Sequence, residues 1–199
     1  MAQPQPRFTP AEYLAAERRA STKSEFVDGR TFAMAGASRR HNLITSNVIV
    51  QLGSQLRHRS CEVYPGDMRV KVPATGLYTY PDVAVVCGEP EFEDAELDTL
   101  VNPTLLVEVL SKSTADYDRG AKFDHYRSLA SLREVLFIAQ DSLHVVHYQR
   151  QPDDTWNLSE TRDSKSRLIL PSIEAELLTA EVYAKVSFDE TRGPTPVPG

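Results

Sequence analysis

The run Leu105-Leu106-Val107-Glu108-Val109-Leu110 sets one glutamate inside an otherwise aliphatic stretch. Apolar residues on both parities predict a strand covered on both faces, hence a sheet with layers packed on each side. A carboxylate buried there without compensation costs on the order of several kcal/mol. A basic side chain, a raised pKa that leaves Glu108 neutral, or a metal ion would each offset that cost. A structural ion pair is the plain alternative.

Upstream, Pro81-Asp82 opens a second aliphatic run, Val83 to Cys87. Proline is tolerated at the first position of a strand, which leaves Asp82 at the entrance of a buried one. Asp beside Pro is also a common turn signal, so this feature is weak by itself. Together with Glu108 it gains weight, because neighbouring strands bring two carboxylates to roughly 5 Å. Such like charges repel unless a cation lies between them. Oxygen donors select hard ions, so Mg²⁺ or Mn²⁺ is the cofactor expected.

Downstream, Ser113 or Thr114 is predicted to cap a helix running to about Leu132. Within it Asp118, Lys122 and Tyr126 are spaced i, i+4, i+8 and share a face. Phe123, Tyr126 and Leu129 or Ala130 would pack on the sheet. Lys122 is placed to point at the carboxylates; a solvated pair with Asp118 is the alternative.

Further out, Thr9-Pro10-Ala11-Glu12 carries the signature of a capped helix start, with the helix expected to about Ala20. Asp28-Gly29 between Ser24–Val27 and Thr31–Met34 predicts a hairpin that carries Glu25. Ile44, Val48, Leu52 and Leu56 recur every fourth position, the stripe of a long amphipathic helix from Arg40 to about His58. Strands are expected at Cys61–Tyr64 and Met68–Val72, with a hairpin of Glu134–Ala139 and Leu143–Gln149. Trp156–Thr161 and Arg167–Leu170 would be edge strands, and Ile173–Val186 helical in part. The order predicts an α/β fold, a mixed β-sheet flanked by α-helices. Residues 1–188 form one domain in this reading, and 189–199, rich in proline, a disordered tail.

Composition narrows the function. The chain has 199 residues and, with 22 Lys+Arg against 28 Asp+Glu, a net charge of −6, which excludes a basic nucleic-acid coat protein. The charge is uneven: residues 1–60 sum to +5 and 61–111 to −8. Glu89 to Asp98 holds much of the acidity and is expected to be a solvated loop without chemistry. The longest apolar runs are five residues, against the roughly 20 needed to span a bilayer, so no membrane role is expected. With no secretion signal, and only Cys61 and Cys87, a disulfide framework is not expected and a reducing cytoplasm is the default compartment.

Taken in order and spacing, Ser24-Glu25-Phe26-Val27-Asp28-Gly29, His41-Asn42-Leu43-Ile44, Pro81-Asp82-Val83, Val107-Glu108-Val109-Leu110-Ser111 through Ser113-Thr114, and Lys122 with Tyr126 resemble the Uma-type restriction-endonuclease family of bacteria. That family lies within the PD-(D/E)XK nuclease superfamily, and the likeness runs from about Phe8 to Val186. The resemblance implies a restriction-endonuclease-like core, with Asp82 and Glu108 as Mg²⁺ ligands and Glu25 as an additional acid near the metal; the Val109 carbonyl would join the ligands, and Glu25 would complete the shell or orient a water. It also implies a catalytic lysine two residues after the glutamate, where this chain has Leu110. Similar sequences move that lysine to the next helix, which points to Lys122; Lys112 is the rival.

The leading expectation is therefore metal-dependent hydrolysis of phosphodiester bonds in DNA. Asp82, Glu108, Lys122 and Glu25 form its catalytic set. Arg39, Arg40, His41 and Tyr126 are the candidate substrate contacts, with Arg57 and Arg59 as further basic candidates. The amino end of a helix attracts phosphate, which favours His41, though a helix-cap role fits it equally. A two-fold dimer is expected by analogy with enzymes that cut two strands. The alternative is a catalytically inactive binding or regulatory module, favoured by Leu110 and the acidic net charge. A hydrolase for a small phosphorylated metabolite lacks support, since no Gly-rich phosphate loop is present.

Overall fold

A computed structural model describes residues 7–111 and 117–188. The expected cap at Ser113 or Thr114, the rival Lys112 and the tail 189–199 lie outside the described residues.

Thr9 caps α1 (Pro10–Glu17) with both halves of a capping box in place. The helix stops short of Ala20. It docks through Tyr13, whose ring stacks on Phe26 at 4.8 Å between centroids. Phe26 belongs to β1 (Ser24–Val27), which turns at Asp28-Gly29 into β2 (Arg30–Ala33). Both turn residues have positive φ, 51° and 79°, the geometry whose twist suits a two-residue hairpin.

The long amphipathic helix is α2 (Arg39–Leu56), capped by the Ser38 hydroxyl on the His41 N–H. Its buried stripe is Ile44, Val48, Leu52 and Leu56, each contributing about 1.5–3 kcal/mol on burial. The strands that follow are β3 (Cys61–Pro65), β4 (Arg69–Val72), β5 (Leu77–Thr79), β6 (Val83–Cys87), β7 (Thr99–Leu100) and β8 (Leu105–Leu110). A π-helical turn, Asp118–Lys122, leads into the short α3 (Phe123–Tyr126). Then come β9 (Glu134–Ala139), β10 (Val145–Arg150), β11 (Trp156–Thr161), β12 (Arg167–Leu170), a 3₁₀ turn at Pro171–Ile173, β13 (Ala175–Leu178) and α4 (Thr179–Val182).

Two sheets build the body. The larger runs β11-β10-β9-β8-β6-β3, and the smaller β2-β1-β5-β4-β7. Both are mixed: β8 pairs β9 and β4 pairs β7 in parallel, the other pairings being antiparallel. Parity assigns the faces of the large sheet. Leu105, Val107 and Val109 face α2, β12 and β13, whereas Leu106 and Leu110 face the small sheet, Phe123 and Tyr126. Glu108 has the parity of the second set. The α/β fold with a mixed sheet flanked by helices is thus present, and a second sheet adds to the covering.

Two expectations need correction. The helix expected to Leu132 ends at Tyr126; beyond it the Ser128 hydroxyl bonds the His125 carbonyl, in local competition with a continued helix, and the Ser131 hydroxyl ties the chain to the Pro103 carbonyl. Cys61 and Cys87 face each other across β3 and β6 and form a disulfide, with 4.0 Å between their α-carbons. The acidic loop is solvated over most of its length, with Glu89, Glu91, Asp94 and Glu96 exposed, and it is also tied to the body by ion pairs. Arg18 grips Asp94 and Asp98, the buried Arg69 reaches Asp98, and Lys71 pairs with Glu93. No helix of the described residues is long and apolar enough to cross a membrane.

Candidate active site

Strand register brings the two key acids together. Val83 pairs with Val107 across β6 and β8, so one step further along the ladder Asp82 stands opposite Glu108. Asp82 has both oxygens engaged. Oδ2 accepts the Val109 N–H at 2.6 Å, and Oδ1 lies 2.7 Å from His41 Nε2. The amide and carbonyl of a strand residue share an edge, so the Val109 carbonyl lies on the edge where its amide meets Asp82.

Glu108 is 5% exposed. Its Oε1 lies 2.9 Å from Lys122 Nζ and accepts the Tyr126 hydroxyl at 2.5 Å. Burial pushes the Glu108 carboxyl up to about 8, against the opposing pull of Lys122, and the charges of Asp82 and Asp118 add to the rise. Burial disfavours the Lys122 ammonium, yet Glu108, Tyr126, Glu25 and Asp118 together hold its pKa well above the ordinary value.

Lys122 meets two more carboxylates, Glu25 Oε1 at 2.9 Å and Asp118 Oδ1 at 3.6 Å. Glu25 arrives from the small sheet on β1 and also accepts the Thr79 hydroxyl of β5 at 2.5 Å. The Tyr117 hydroxyl lies 3.4 Å from its other oxygen. The π turn carries Asp118 and Lys122 inward on one face, a wider turn serving the end expected of an α-helix. Phe123, packed among Phe137, Tyr148 and Trp156, fixes that turn to the large sheet.

The structure thus gathers Glu25, Asp82, Glu108, Lys122, Tyr126 and His41. Tyr126, expected at the substrate, is fully buried with its hydroxyl on Glu108. Arg39 and Arg40 lie on the first turn of α2 beside His41, and an Arg40 nitrogen donates to the Phe188 carbonyl at 3.3 Å. Arg57 and Arg59 do not join the site. At about 1.5 Å of rise per residue, the far end of α2 is roughly 24 Å from His41, and Arg59 is spent on Glu174. Sequence reasoning missed Thr79 and Tyr117. Tyr117 adjoins Asp118 but lies off the spacing of four that singled out Asp118, Lys122 and Tyr126, and Thr79 sits in a strand too short to show a period.

No three His, Cys, Asp or Glu side chains among the described residues converge as a ready-made metal cage. A hard cation such as Mg²⁺ needs less, since it binds through one or two carboxylates and keeps several waters. Asp82, Glu108 and the Val109 carbonyl meet that need with oxygen donors alone. Three carboxylates crowd one ammonium and Asp82 adds a further negative charge, which leaves room for positive charge. The donor set fits a hydrated divalent ion.

Fold and site define a protein of the restriction-endonuclease-like class. The family model described as "Uma2: Putative restriction endonuclease" matches residues 10–181, and the chain belongs to that family. Two similar proteins come from Synechocystis sp. (strain ATCC 27184 / PCC 6803 / Kazusa), both described as uncharacterized. Protein sll1609 is 41% identical over 153 residues, covering 77% of this chain and 86% of its own, and slr1290 is 33% identical over 185 residues, covering 93% and 96%. A crystal structure from Anabaena variabilis ATCC 29413, described as a "putative nuclease belonging to DUF820", superposes with a TM-score of 0.71. It is 17% identical and covers 89% of this chain and 98% of its own, a likeness of fold.

Proposed function

We propose that the chain is a Mg²⁺-dependent endonuclease that hydrolyses phosphodiester bonds in DNA. The observation that carries the reading is the Lys122 ammonium at 2.9 Å from Glu108, on the strand beside the one that Asp82 opens. Asp82, Glu108 and the Val109 carbonyl would hold the ion. When bound, a divalent cation lowers the pKa of a coordinated water and polarises a phosphoryl oxygen. Asp82 keeps its orientation through His41 and the Val109 amide. Lys122 holds a positive charge where the attacking water and the developing phosphorane charge need it, taking over from the position filled by Leu110. Arg39 and Arg40 extend the substrate surface along the amino end of α2, where backbone N–H groups favour phosphate. One site per chain and two strands per duplex point to a two-fold dimer as the working form.

The test is titration of the purified protein, Asp82→Ala and Glu108→Ala with Mn²⁺, followed by incubation with single- and double-stranded DNA. The wild type should bind Mn²⁺ and cut DNA, and both variants should lose both properties. Metal binding lost in the variants with no cleavage by the wild type would instead identify an inactive binding module. Cleavage that survives both substitutions would overturn the site.

A further inference from the structure

We propose that Glu25 and Asp118 are positioning residues that hold the Lys122 ammonium against Glu108, and that Glu25 takes no place in the metal shell. This assignment rests on the nuclease reading of the site and corrects the role that family resemblance implies for Glu25.

The contacts of Glu25 carry it. Oε1 meets Lys122 at 2.9 Å and the Thr79 hydroxyl at 2.5 Å, and the Tyr117 hydroxyl stands 3.4 Å from Oε2. These partners all donate to a carboxylate, and between them they engage both oxygens of Glu25. Glu25 also comes from the other sheet: β1 belongs to the small sheet, Asp82 and Glu108 to the large one. Lys122 is the link between them, with one carboxylate from each sheet at the same 2.9 Å. Asp118, one turn earlier, approaches the same nitrogen at 3.6 Å.

The arrangement answers a chemical need. A lysine has a long flexible stem and three donors, and carries no positional information unless acceptors fix it. Lys122 is 3% exposed, so bulk solvent does not supply them. Three carboxylates define one place for the ammonium, and the electrostatic pull on Lys122 includes Glu25 and Asp118 as well as Glu108. Asp118 and Lys122 both face inward from the π turn, so the two groups meet within one segment of chain. A lysine removed from its customary strand thereby regains a fixed position at the glutamate.

The experiment compares Glu25→Gln, Asp118→Asn and Glu108→Gln with the wild type. It measures Mn²⁺ affinity by calorimetry, kcat on plasmid DNA, and the Lys122 ammonium resonance in protein labelled with ¹⁵N-lysine, assigned with Lys122→Met. Glu25→Gln should keep Mn²⁺ affinity within about twofold and lose the protected ammonium signal. Its kcat should fall by about 10²-fold, the scale of a misplaced catalytic group. Asp118→Asn should do the same more weakly, and Glu108→Gln should lose Mn²⁺. A tenfold or greater loss of Mn²⁺ affinity in Glu25→Gln, with the signal intact, would make Glu25 a ligand and overturn the proposal. A wild type that binds no Mn²⁺ would sink the nuclease reading; the ammonium signal then decides the anchoring alone, upheld if Glu25→Gln loses it and overturned if it persists.

Discussion

His41 Nε2 lies 2.7 Å from Asp82 Oδ1, which joins the first turn of α2 to the entrance of β6. The two residues are 41 positions apart and reach each other around the end of the large sheet, since α2 packs on the face opposite Glu108. With the Val109 amide on its other oxygen, Asp82 is fixed from two sides. Groups that orient a ligand typically change metal affinity by about 10–100-fold when removed. His41→Ala should therefore weaken Mn²⁺ binding by about tenfold or more in a calorimetric titration, with the fold unchanged by circular dichroism. Unchanged affinity would show that the Val109 amide suffices.

Cys61 and Cys87 close a loop of 26 residues between an edge strand and the strand that Asp82 opens. Loop-closure entropy assigns such a crosslink about 3–4 kcal/mol. Urea unfolding, followed through Trp156, should show a midpoint that drops on reduction, and the double variant Cys61→Ser/Cys87→Ser should match the reduced wild type without responding to reductant. Equal midpoints with and without reductant would mean that the two residues stand as thiols in solution.

Arg18 binds Asp98 through two nitrogens, and Arg69 adds a third contact, so the Asp98 carboxyl is held well below its ordinary value of 3.8. The unfolded chain binds that proton more readily, so the contribution is complete above about 3.8 and disappears as pH falls through the lowered value. The stability gap between wild type and Asp98→Asn should be constant from neutral pH down to roughly pH 4 and narrow below it. A gap that stays level to pH 2 would remove Asp98 as its cause.

Much of this was legible in the sequence because the residues break a local rule. Asp82 and Glu108 stand out as acids bordering or interrupting aliphatic strands, and α2 declares itself through Ile44, Val48, Leu52 and Leu56. Lys122 was legible for a different reason: spacing of four carries a side chain to the same face in an α-helix and, here, in a π turn. What could not be read is set by tertiary pairing. Strands β5 and β7 have three and two residues, and become strands only because Thr79 pairs with Val70 and Thr99 with Arg69. Glu174, at φ 50°, breaks the stretch read as partly helical and lets β13 form. The grip of Arg18 on the acidic loop spans 76 to 80 positions, beyond any local pattern.

Removing the Lys122 ammonium separates its two roles. Lys122→Met leaves Glu25, Glu108 and Asp118 without their shared cation, and breaking a buried pair from one side typically costs about 3–5 kcal/mol. Those charges still attract a divalent ion, so Mn²⁺ should bind at least as well as to the wild type. The rise in melting temperature on adding Mn²⁺ should be larger in the variant, because binding to the folded state alone stabilises it. Turnover should behave oppositely, falling by about 10²–10³-fold, the usual consequence of deleting one group that stabilises developing charge. A variant that keeps its turnover would move the catalytic role to Lys112, and a melting temperature that no longer responds to Mn²⁺ would place Lys122 in the support of the metal ligands themselves.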